Sequence, residues 1–471
     1  KMNHKYKNLL SNVSLFTISN LGSKVLTVLL VPLYTSVLST EEYGIVDLII
    51  STISLLLPIL TCSTAEGVLR FSFTNENYAR DSLTISFVYS IFGTIVCFFL
   101  YPIVSHFNVS IGKYWNYAVA LFFLMAIRDS YSSYIKGVDR TKIFAAQGVI
   151  FTFVYLSLNI LLLLFLNWGV SGYFISLICA NLISLIYMFL FERNWIYEKI
   201  KWNSKLNREM LIYCVPIIVS TAAWWVNTSV DKYMITEMIS VSENGIYSMG
   251  HKIPTLITTI TGVFSQAWLL STISAEENDS EDEKQCFYSN IFEIYMIFCA
   301  SLSFFVVLFC KPLSRLMFNN EFFGAWKYVP LLTISALFSG YAGFWASFFR
   351  ASKKTNILLH STIISAVINI ALNSVLIRLC GTMGAAIATS ISFFVMWIIR
   401  VFAIRCTVKI KWISFFIVHV LLMGVVLFSM IESWIIYPLF LVFVAVIFSV
   451  YKDKVVKICF MAKKHLRKGD K

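Results

Sequence analysis

Long apolar runs recur through the whole chain and constrain its fold more than any other feature. A bilayer core about 30 Å thick needs roughly 20 apolar residues to span it as a helix, at about 1.5 Å of rise per residue. Fourteen such runs lie between Leu9 and Tyr451, and charged residues make up only 13% of the 471-residue chain. The sequence therefore predicts an all-α polytopic membrane protein with about fourteen transmembrane helices and no room for a soluble catalytic domain. The predicted spans are 9–38, 43–70, 82–105, 114–135, 142–166, 170–191, 209–240, 244–273, 286–310, 327–350, 355–380, 383–404, 412–430 and 434–451.

The loops between these runs alternate between basic and charge-poor. Most of the 38 Lys and Arg residues lie on one set of alternate loops and at both ends of the chain. Cytoplasmic loops collect Lys and Arg, so this pattern predicts that both termini are cytoplasmic. Two loops depart from it: the inner loop 276–283 is acidic, and the outer loop 311–327 carries three basic residues. The net charge of +13 is then a topology signal, and no nucleic-acid partner is expected.

Spans 1–6 and spans 7–12 resemble two copies of one unit. Three short motifs recur in the same order, at offsets of 201, 214 and 212 residues: Ser39–Ile45 with Ser240–Ile246, Arg140-Thr141 with Lys354-Thr355, and Gly169-x-x-Gly172 with Gly381-x-x-Gly384. Because six spans is an even number, both copies enter the membrane with the same polarity. We therefore expect two parallel six-helix lobes around a central cavity, at 1–208 and 209–408, followed by spans 13 and 14 and a basic tail at 409–471. The alternative is that Gly and Glu simply favour interfacial turns.

Ionisable residues inside the predicted spans are the candidate functional groups. A charge at the centre of a spanning helix costs roughly 2.5–3.5 kcal/mol, so such residues usually face a wet cavity or a partner. The candidate substrate-binding cations are Lys24, Lys252, Arg128, Lys232 and Arg378. The candidates for ion pairing or coupling are Glu66, Arg70, Asp129, Asp231 and Glu293.

These candidates carry two kinds of prediction. Lys24 and Lys252 have no acid at helical spacing, so both are predicted to line a shared cavity between the lobes. Glu66 and Arg70 lie four residues apart on one helix face and predict an ion pair. For such acid–base neighbours the alternative to a functional role is that they only lock helices together.

Prolines and cysteines add less. Pro32, Pro58, Pro216 and Pro254 are expected to interrupt spans 1, 2, 7 and 8, because each removes one backbone hydrogen bond. The ten cysteines and six histidines show no metal-binding spacing, so neither a metal site nor a cofactor is expected.

Several motifs together resemble a known family. Val31-Pro32-Leu33-Tyr34 followed by Leu38-Ser39-Thr40-Glu41-Glu42-Tyr43-Gly44 resembles the opening of polysaccharide-export proteins of the Wzx type, in the MOP exporter superfamily. Asp231-Lys232, Glu243–Ser248 and His251–Pro254 resemble the start of the second lobe in that family. The resemblance implies a flippase of the bacterial inner membrane for an undecaprenyl-pyrophosphate-linked oligosaccharide used in O-antigen or capsule assembly. It also implies a cationic cavity between two lobes, and contacts with a polysaccharide polymerase and chain-length proteins.

Two other functions stay open. A cation-coupled multidrug antiporter of the MATE kind would have twelve spans and an acidic cavity. A membrane O-antigen polymerase or glycosyltransferase would need a sizeable outer loop with catalytic groups, whereas the longest outer loop here, near 311–327, holds Glu321 as its acid. We therefore expect a transporter rather than an enzyme. The sequence leaves the sugar composition and the coupling ion open. The second-span arginine of the lipid II flippases has no counterpart at Leu55–Pro58, which argues against lipid II as the substrate.

Overall fold

The computed structural model describes residues 30–74, 76–107, 109–192, 202–278, 280–405, 408, 412–431, 438–439 and 441–445. Within these ranges the regular structure is helical and contains no strand. The helices of the first half are α1 Val31–Val37, α2 Thr40–Leu60, α3 Thr64–Thr74, α4 Glu76–Phe99, α5 Tyr101–Phe107, α6 Val109–Lys113, α7 Trp115–Gly137, α8 Thr141–Asn159 and α9 Gly169–Phe191, with a π-helical turn at Ile160–Phe165. Those that follow are α10 Ser204–Met238, α11 Val241–Gly250, α12 Thr255–Asn278, α13 Glu281–Leu308, α14 Cys310–Met317, α15 Val329–Ala351, α16 Thr355–Cys380, α17 Thr382–Ile404 and α18 Trp412–Met430, with a 3₁₀ helix at Asn320–Lys327.

The predicted fold class is confirmed. Among the described residues, ten helices are long and apolar enough to cross a membrane. The predicted spans 355–380 and 412–430 coincide with α16 and α18. Most of predicted span 1 and of predicted span 14 lies outside the described residues. The domain boundaries proposed from the sequence stay a prediction.

In two predicted spans the chain leaves the helix for three or more residues. In place of one helix over 43–70, α2 ends at Leu60 and α3 begins at Thr64, and Cys62 and Ser63 between them have φ of 52° and 50°. In place of one helix over 244–273, the chain breaks between α11 and α12, and Pro254 directly precedes α12. Proline has no backbone N–H and cannot donate the hydrogen bond that would continue the preceding helix. A break is therefore favoured at this point.

Pro58 lies inside α2, two residues before its end, and Pro32 and Pro216 do not break a described helix either. Pro216 lies inside the continuous helix α10, whose remaining hydrogen bonds bridge the missing donor. Pro32 occupies the first turn of α1, where a helix has no use for that backbone N–H. Pro216 therefore corrects the expectation that all four prolines interrupt their spans, whereas the part of span 1 that precedes Pro32 lies outside the described residues.

The three repeated motifs adopt matching backbone conformations. Ser39 and Ser240 cap α2 and α11, each accepting a hydrogen bond from the backbone N–H three residues later. Gly169 and Gly381, which open α9 and α17, have φ of +53° and +62°, a region that glycine occupies without a steric penalty.

The turns before α8 and α16 match as well. Asp139 and Lys353 have φ of +57° and +58°. Each is followed by an N-cap residue with similar angles, φ −86° and ψ 52° at Arg140, and φ −92° and ψ 48° at Lys354. The motifs that repeat in the sequence therefore also have similar backbone conformations.

The second half has a largely aromatic core. Trp268 stacks on Phe344 with ring centroids 4.6 Å apart, and Phe292 lies 4.8 Å from Trp345. Helix α18 packs against α13 and α15 and extends this core, because buried side chains of α18 belong to the same cluster. The apolar side chains on the outer surfaces of the helices remain exposed, as expected for helices that face lipid.

Candidate functional site

The two lobes meet where α2 packs against α11, the paired starts of the repeated unit. Gly44 and Gly245 allow the close approach: a Cβ at Gly44 would lie 2.2 Å from the Val241 carbonyl oxygen, and one at Gly245 would lie 1.9 Å from the Thr40 carbonyl oxygen. The hydroxyl oxygens of Thr40 and Ser242 are 2.6 Å apart. The repeated turn is therefore a contact between the lobes.

An ion pair lies one turn further along this contact. Lys232 Nζ on α10 is 2.9 Å from Asp47 Oδ2 on α2, and both side chains are almost enclosed, at 14% and 13% exposure. Ser248 of α11 donates a hydrogen bond to Asp47 Oδ2 at 2.8 Å. Two further bonds flank the pair, from Trp225 Nε1 to the Ser51 carbonyl at 2.8 Å and between Tyr233 and Thr52 at 2.6 Å. Polar bonds thus join the first lobe to the second along one side of their interface.

Lys252 lies beside this ion pair. Its Nζ is 5.7 Å from the centroid of the Tyr43 ring, and its charge interacts with the Asp47 carboxylate. Lys252 does not line either of the two cavities described below, although its neighbour His251 does. The predicted partner across a shared cavity, Lys24, lies outside the described residues.

A cavity of about 450 Å³ lies within the first lobe, between α2, α7, α8 and α9. Arg128 of α7 lines it, donates from Nη1 to Asn181 Oδ1 at 2.7 Å, and places its guanidinium 4.2 Å from the Phe151 ring centroid. Arg128 Nε is buried and has no hydrogen-bond partner within the described part of the chain. None of the described residues that line this cavity is acidic. The cavity is therefore cationic and suited to an anion.

A second cavity, of about 350 Å³, lies within the second lobe between α10, α12, α15 and α17. Its described lining contains no Asp, Glu, Lys or Arg side chain. Hydroxyl groups and glycines predominate, with Trp224 and Phe393 in a T-shaped contact at one wall. His251 also lines it, and its Nε2 is buried with no hydrogen-bond partner from the residues that the structure describes. This cavity is neutral and rich in hydrogen-bonding groups.

The remaining predicted cations and acids fall in other places. Asp231 is fully buried in the second lobe, where it accepts hydrogen bonds from Tyr247 at 2.7 Å and Thr389 at 3.1 Å. It therefore faces away from the ion pair of its neighbour Lys232. Arg378 is exposed in the last turn of α16 and lines neither cavity.

The predicted pair of Glu66 and Arg70 is not among the ion pairs that the structure shows between described residues. The Arg70 guanidinium lies 4.4 Å from the centroid of the Tyr213 ring of α10. Asp129 is half-buried and interacts electrostatically with Arg128 and other charges nearby. Glu293 is buried in α13, within the second lobe.

Sequence reasoning missed three groups at these sites. Asp47 showed no partner in the sequence because Lys232 is 185 residues away. Asn181 and His251 gave no signal, since a lone amide or imidazole in an apolar helix is common. Within the described part of the chain, no cluster of three His, Cys, Asp or Glu residues is placed to hold a metal ion.

Comparison with known sequences gives a family match. The sequence model of a family described as "Polysaccharide biosynthesis protein" matches residues 9–274, more than half of the chain. The probable low-salt glycan biosynthesis flippase Agl15 of Haloferax volcanii is 26% identical over 238 residues, which are 49% of this chain and 49% of that protein. An uncharacterised membrane protein of Methanocaldococcus jannaschii, MJ1375, is 24% identical over 82% of this chain and 95% of that protein. The chain spans about half the length of the first two curated relatives that it matches.

Solved structures share the fold. The lipid II flippase MurJ in an inward closed conformation superposes with a TM-score of 0.74 at 14% identity, over 94% of this chain and 99% of that one. A multidrug resistance MATE family transporter of the MOP superfamily, in an inward-facing conformation, superposes with a TM-score of 0.70 at 12% identity, over 85% and 98%. The chain therefore has the fold of MOP superfamily transporters and is a multi-pass membrane protein.

Proposed function

The chain belongs to the polysaccharide biosynthesis protein family, and from this premise we propose that it is a flippase for a polyprenyl-diphosphate-linked oligosaccharide, the undecaprenyl-linked repeat unit of O-antigen or capsule in a bacterial inner membrane. The transported molecule has an anionic diphosphate, a hydrophilic glycan and a lipid tail. The tail stays in the bilayer, so the protein must shelter only the diphosphate and the sugars.

The observation that carries this proposal is the cationic cavity around Arg128. A guanidinium is the side chain best suited to phosphate, because its planar donors form paired, charge-assisted hydrogen bonds. In this cavity Asn181 and Phe151 fix the guanidinium, while its Nε has no hydrogen-bond partner among the described residues. An arginine held in this way, away from any acidic lining residue, is prepared for an anionic ligand.

Alternating access supplies the mechanism. With the predicted topology, both termini cytoplasmic, the turn at Ser39 lies on the outer side of the membrane. The contacts of Gly44 with α11 and of Asp47 with Lys232 then close the outer end of the protein. The substrate enters from the cytoplasmic side in this state, and separation of these contacts releases it outside.

The membrane potential favours this direction of transport. It is negative inside, so moving a negative headgroup outward is downhill by about 2.3 kcal/mol per charge per 100 mV. A doubly charged diphosphate could gain on the order of 4–5 kcal/mol at that potential. No catalytic step is needed, in keeping with a transporter that is not an enzyme. A polysaccharide polymerase and chain-length proteins would take up the exported unit.

The MATE-like alternative requires acidic groups that attract cationic drugs. The described linings of both cavities lack Asp and Glu, and Asp47 is engaged by Lys232. The polarity of the cavities therefore favours an anionic lipid-linked substrate over a cationic drug.

The test is a flipping assay with the full chain in proteoliposomes. The probe is a fluorescent polyprenyl-diphosphate-linked oligosaccharide, and its exposure is measured with a membrane-impermeant reagent that destroys the label. We expect Arg128→Ala to lower the transport rate roughly tenfold or more, since a charge-assisted bond contributes about 1.5–3 kcal/mol, and Arg128→Lys to keep part of it. Lys205→Ala, an exposed cation at the start of α10, is the matched control with an unchanged rate. No transport by the wild type, or a wild-type rate in Arg128→Ala, would overturn the proposal.

A further inference from the structure

The cavity of the second lobe is neutral, whereas the cavity of the first lobe is cationic. Its hydroxyl groups already donate their hydrogens within the protein: Thr255 to the His251 carbonyl at 2.7 Å, Ser265 to the Thr261 carbonyl at 2.8 Å, and Thr389 to Asp231 at 3.1 Å. Thr228, Thr258, Thr261 and Ser335 also donate to backbone carbonyls. Each hydroxyl oxygen keeps lone pairs for a ligand. The lining residues therefore combine hydroxyl acceptors with apolar surface, and a ligand with hydroxyl donors and C–H faces complements them.

The other features of the cavity agree with a neutral ligand of that kind. No charged side chain belongs to its described lining, so neither an anion nor an organic cation finds a counter-charge there. Trp224 and Phe393 supply apolar surface for the C–H faces of a ring. A volume of about 350 Å³ holds many water molecules and greatly exceeds the space that one monoatomic ion requires.

Glycines keep the cavity open. Among the described residues, a Cβ added at Gly262 would meet nothing within 4 Å, and one at Gly343 would meet only the Ser265 hydroxyl at 3.6 Å. Glycine within a helix is less favourable than alanine by roughly 0.5–1 kcal/mol. Gly262 lies in the middle of α12 and keeps this space open at that energetic cost. The open space therefore points to a bound ligand.

We infer that the second-lobe cavity binds an uncharged sugar of the substrate, while the Arg128 cavity of the first lobe binds its diphosphate. This inference rests on the proposed function and assigns each chemical part of the substrate to one lobe. The glycan residue seated between α10, α12, α15 and α17 is a neutral hexose or N-acetylhexosamine rather than a uronic acid, because no cation faces it.

Two cavity-filling variants separate the two parts of the substrate. Gly262→Leu fills the second-lobe cavity, and Gly148→Leu fills the first-lobe cavity, where a Cβ at Gly148 also meets nothing within 4 Å. The full-length protein is titrated in detergent with two probes, undecaprenyl diphosphate without sugar and undecaprenyl diphosphate carrying a neutral disaccharide. The readout is the ratio of the two dissociation constants, which measures the contribution of the sugar.

We expect the wild type to bind the glycosylated probe about tenfold more tightly, the effect of one or two net hydrogen bonds. Gly262→Leu should lose this gain and keep its affinity for the bare lipid, whereas Gly148→Leu should weaken both probes by the same factor. Thr258→Val with Thr261→Val, which removes acceptors at nearly constant volume, should also reduce the gain. This second variant tests the idea if the leucine variant does not fold.

The possible outcomes distinguish a failure of the sugar-site inference from a failure of the proposed flippase function. If the wild type binds neither probe, the proposed function fails and the sugar site fails with it. If both probes bind but Gly262→Leu keeps the full sugar gain, the flippase proposal stands and the sugar site is overturned. A probe carrying a uronic acid should show a smaller gain than the neutral one. An equal or larger gain that Gly262→Leu removes would overturn the assignment to a neutral sugar.

Discussion

The contact between Asp47 and Lys232 joins two charges in a nearly enclosed place. Each charge also contacts a serine hydroxyl: Ser248 donates to the carboxylate, and the Ser51 hydroxyl oxygen lies 3.4 Å from the ammonium. Removing one partner leaves the other charge without compensation in a poorly hydrated environment, which costs more than removing both. The two residues should therefore be energetically coupled.

A double-mutant cycle measures this coupling. We expect Asp47→Asn and Lys232→Met each to lower the melting temperature of the purified protein, and the double variant to be less destabilised than the sum of the two. A coupling free energy of about 0.5–3 kcal/mol is typical of contacting residues. Denaturant unfolding followed by tryptophan fluorescence gives the four values. Strictly additive effects would show that the coupling free energy between the two residues is zero.

Much of this pairing could not be predicted from the sequence. The cost of charge in a bilayer singled out Arg128 and Lys232 as candidate substrate-binding cations, and the structure pairs Lys232 with Asp47. Their partners Asn181 and Asp47 are 53 and 185 residues away, and no local spacing connects them. The local i, i+4 rule suggested Glu66 with Arg70, and it gave no indication that the Arg70 guanidinium lies over Tyr213 of another helix. Tertiary packing decides which polar neighbour a buried charge meets.

The close packing between the first turns of α2 and α11 requires glycine at two positions. An added Cβ at Gly44 or Gly245 would lie at about two-thirds of a normal contact distance from a backbone oxygen, and a backbone oxygen cannot move aside without bending its helix. We expect Gly44→Ala and Gly245→Ala to push the two helices apart and to disfavour the closed outer end.

Disulfide formation reports this separation. In a variant without the ten native cysteines, Thr40→Cys and Ser242→Cys replace two hydroxyls that lie 2.6 Å apart. The cross-linking yield should fall when Gly44→Ala is added and stay unchanged with Gly148→Ala, whose Cβ meets open space. An equal yield in all three proteins would mean that the helices absorb the extra methyl group without moving apart.

Helix boundaries were more predictable than helix continuity. Apolar length located α16 and α18 to the residue, two of the three repeated motifs proved to share backbone φ angles, and the third shares a capping hydrogen bond. The break at Thr61–Ser63 was hidden, because nothing in an apolar run reveals that two residues will take positive φ. Proline alone was a poor guide, since Pro254 marks a break whereas Pro216 lies within a continuous helix.

The same cysteine pair tests alternating access for the molecule as a whole. If the contact between α2 and α11 must open in every transport cycle, then the disulfide between Thr40→Cys and Ser242→Cys should abolish flipping, and a reductant should restore it. The flipping assay in proteoliposomes provides the measurement. Full transport by the cross-linked protein would show that this contact is a permanent joint.

Orientation in the membrane is tested separately. On a cysteine-free background, Ser110→Cys should react with an impermeant maleimide added to intact cells, and Lys353→Cys should react only after the membrane is permeabilised. This follows from the concentration of Lys and Arg on the loops that include Lys353. Labelling of Ser110→Cys only after permeabilisation would reverse the topology, and the end closed by α2 and α11 would then face the cytoplasm.

Each of the two cavities is built by the helices of a single lobe. Substitutions on α12 or α15 can therefore alter the neutral cavity without disturbing the surroundings of Arg128. A cell that changes the sugars on its surface keeps the same lipid carrier. Selection would therefore favour sequence change in the second lobe, which binds the sugar, and conservation of the first lobe, which binds the diphosphate. Related chains from strains with different surface glycans should then diverge fastest around Gly262, and grafting one second lobe onto another first lobe should transfer the preference for a sugar.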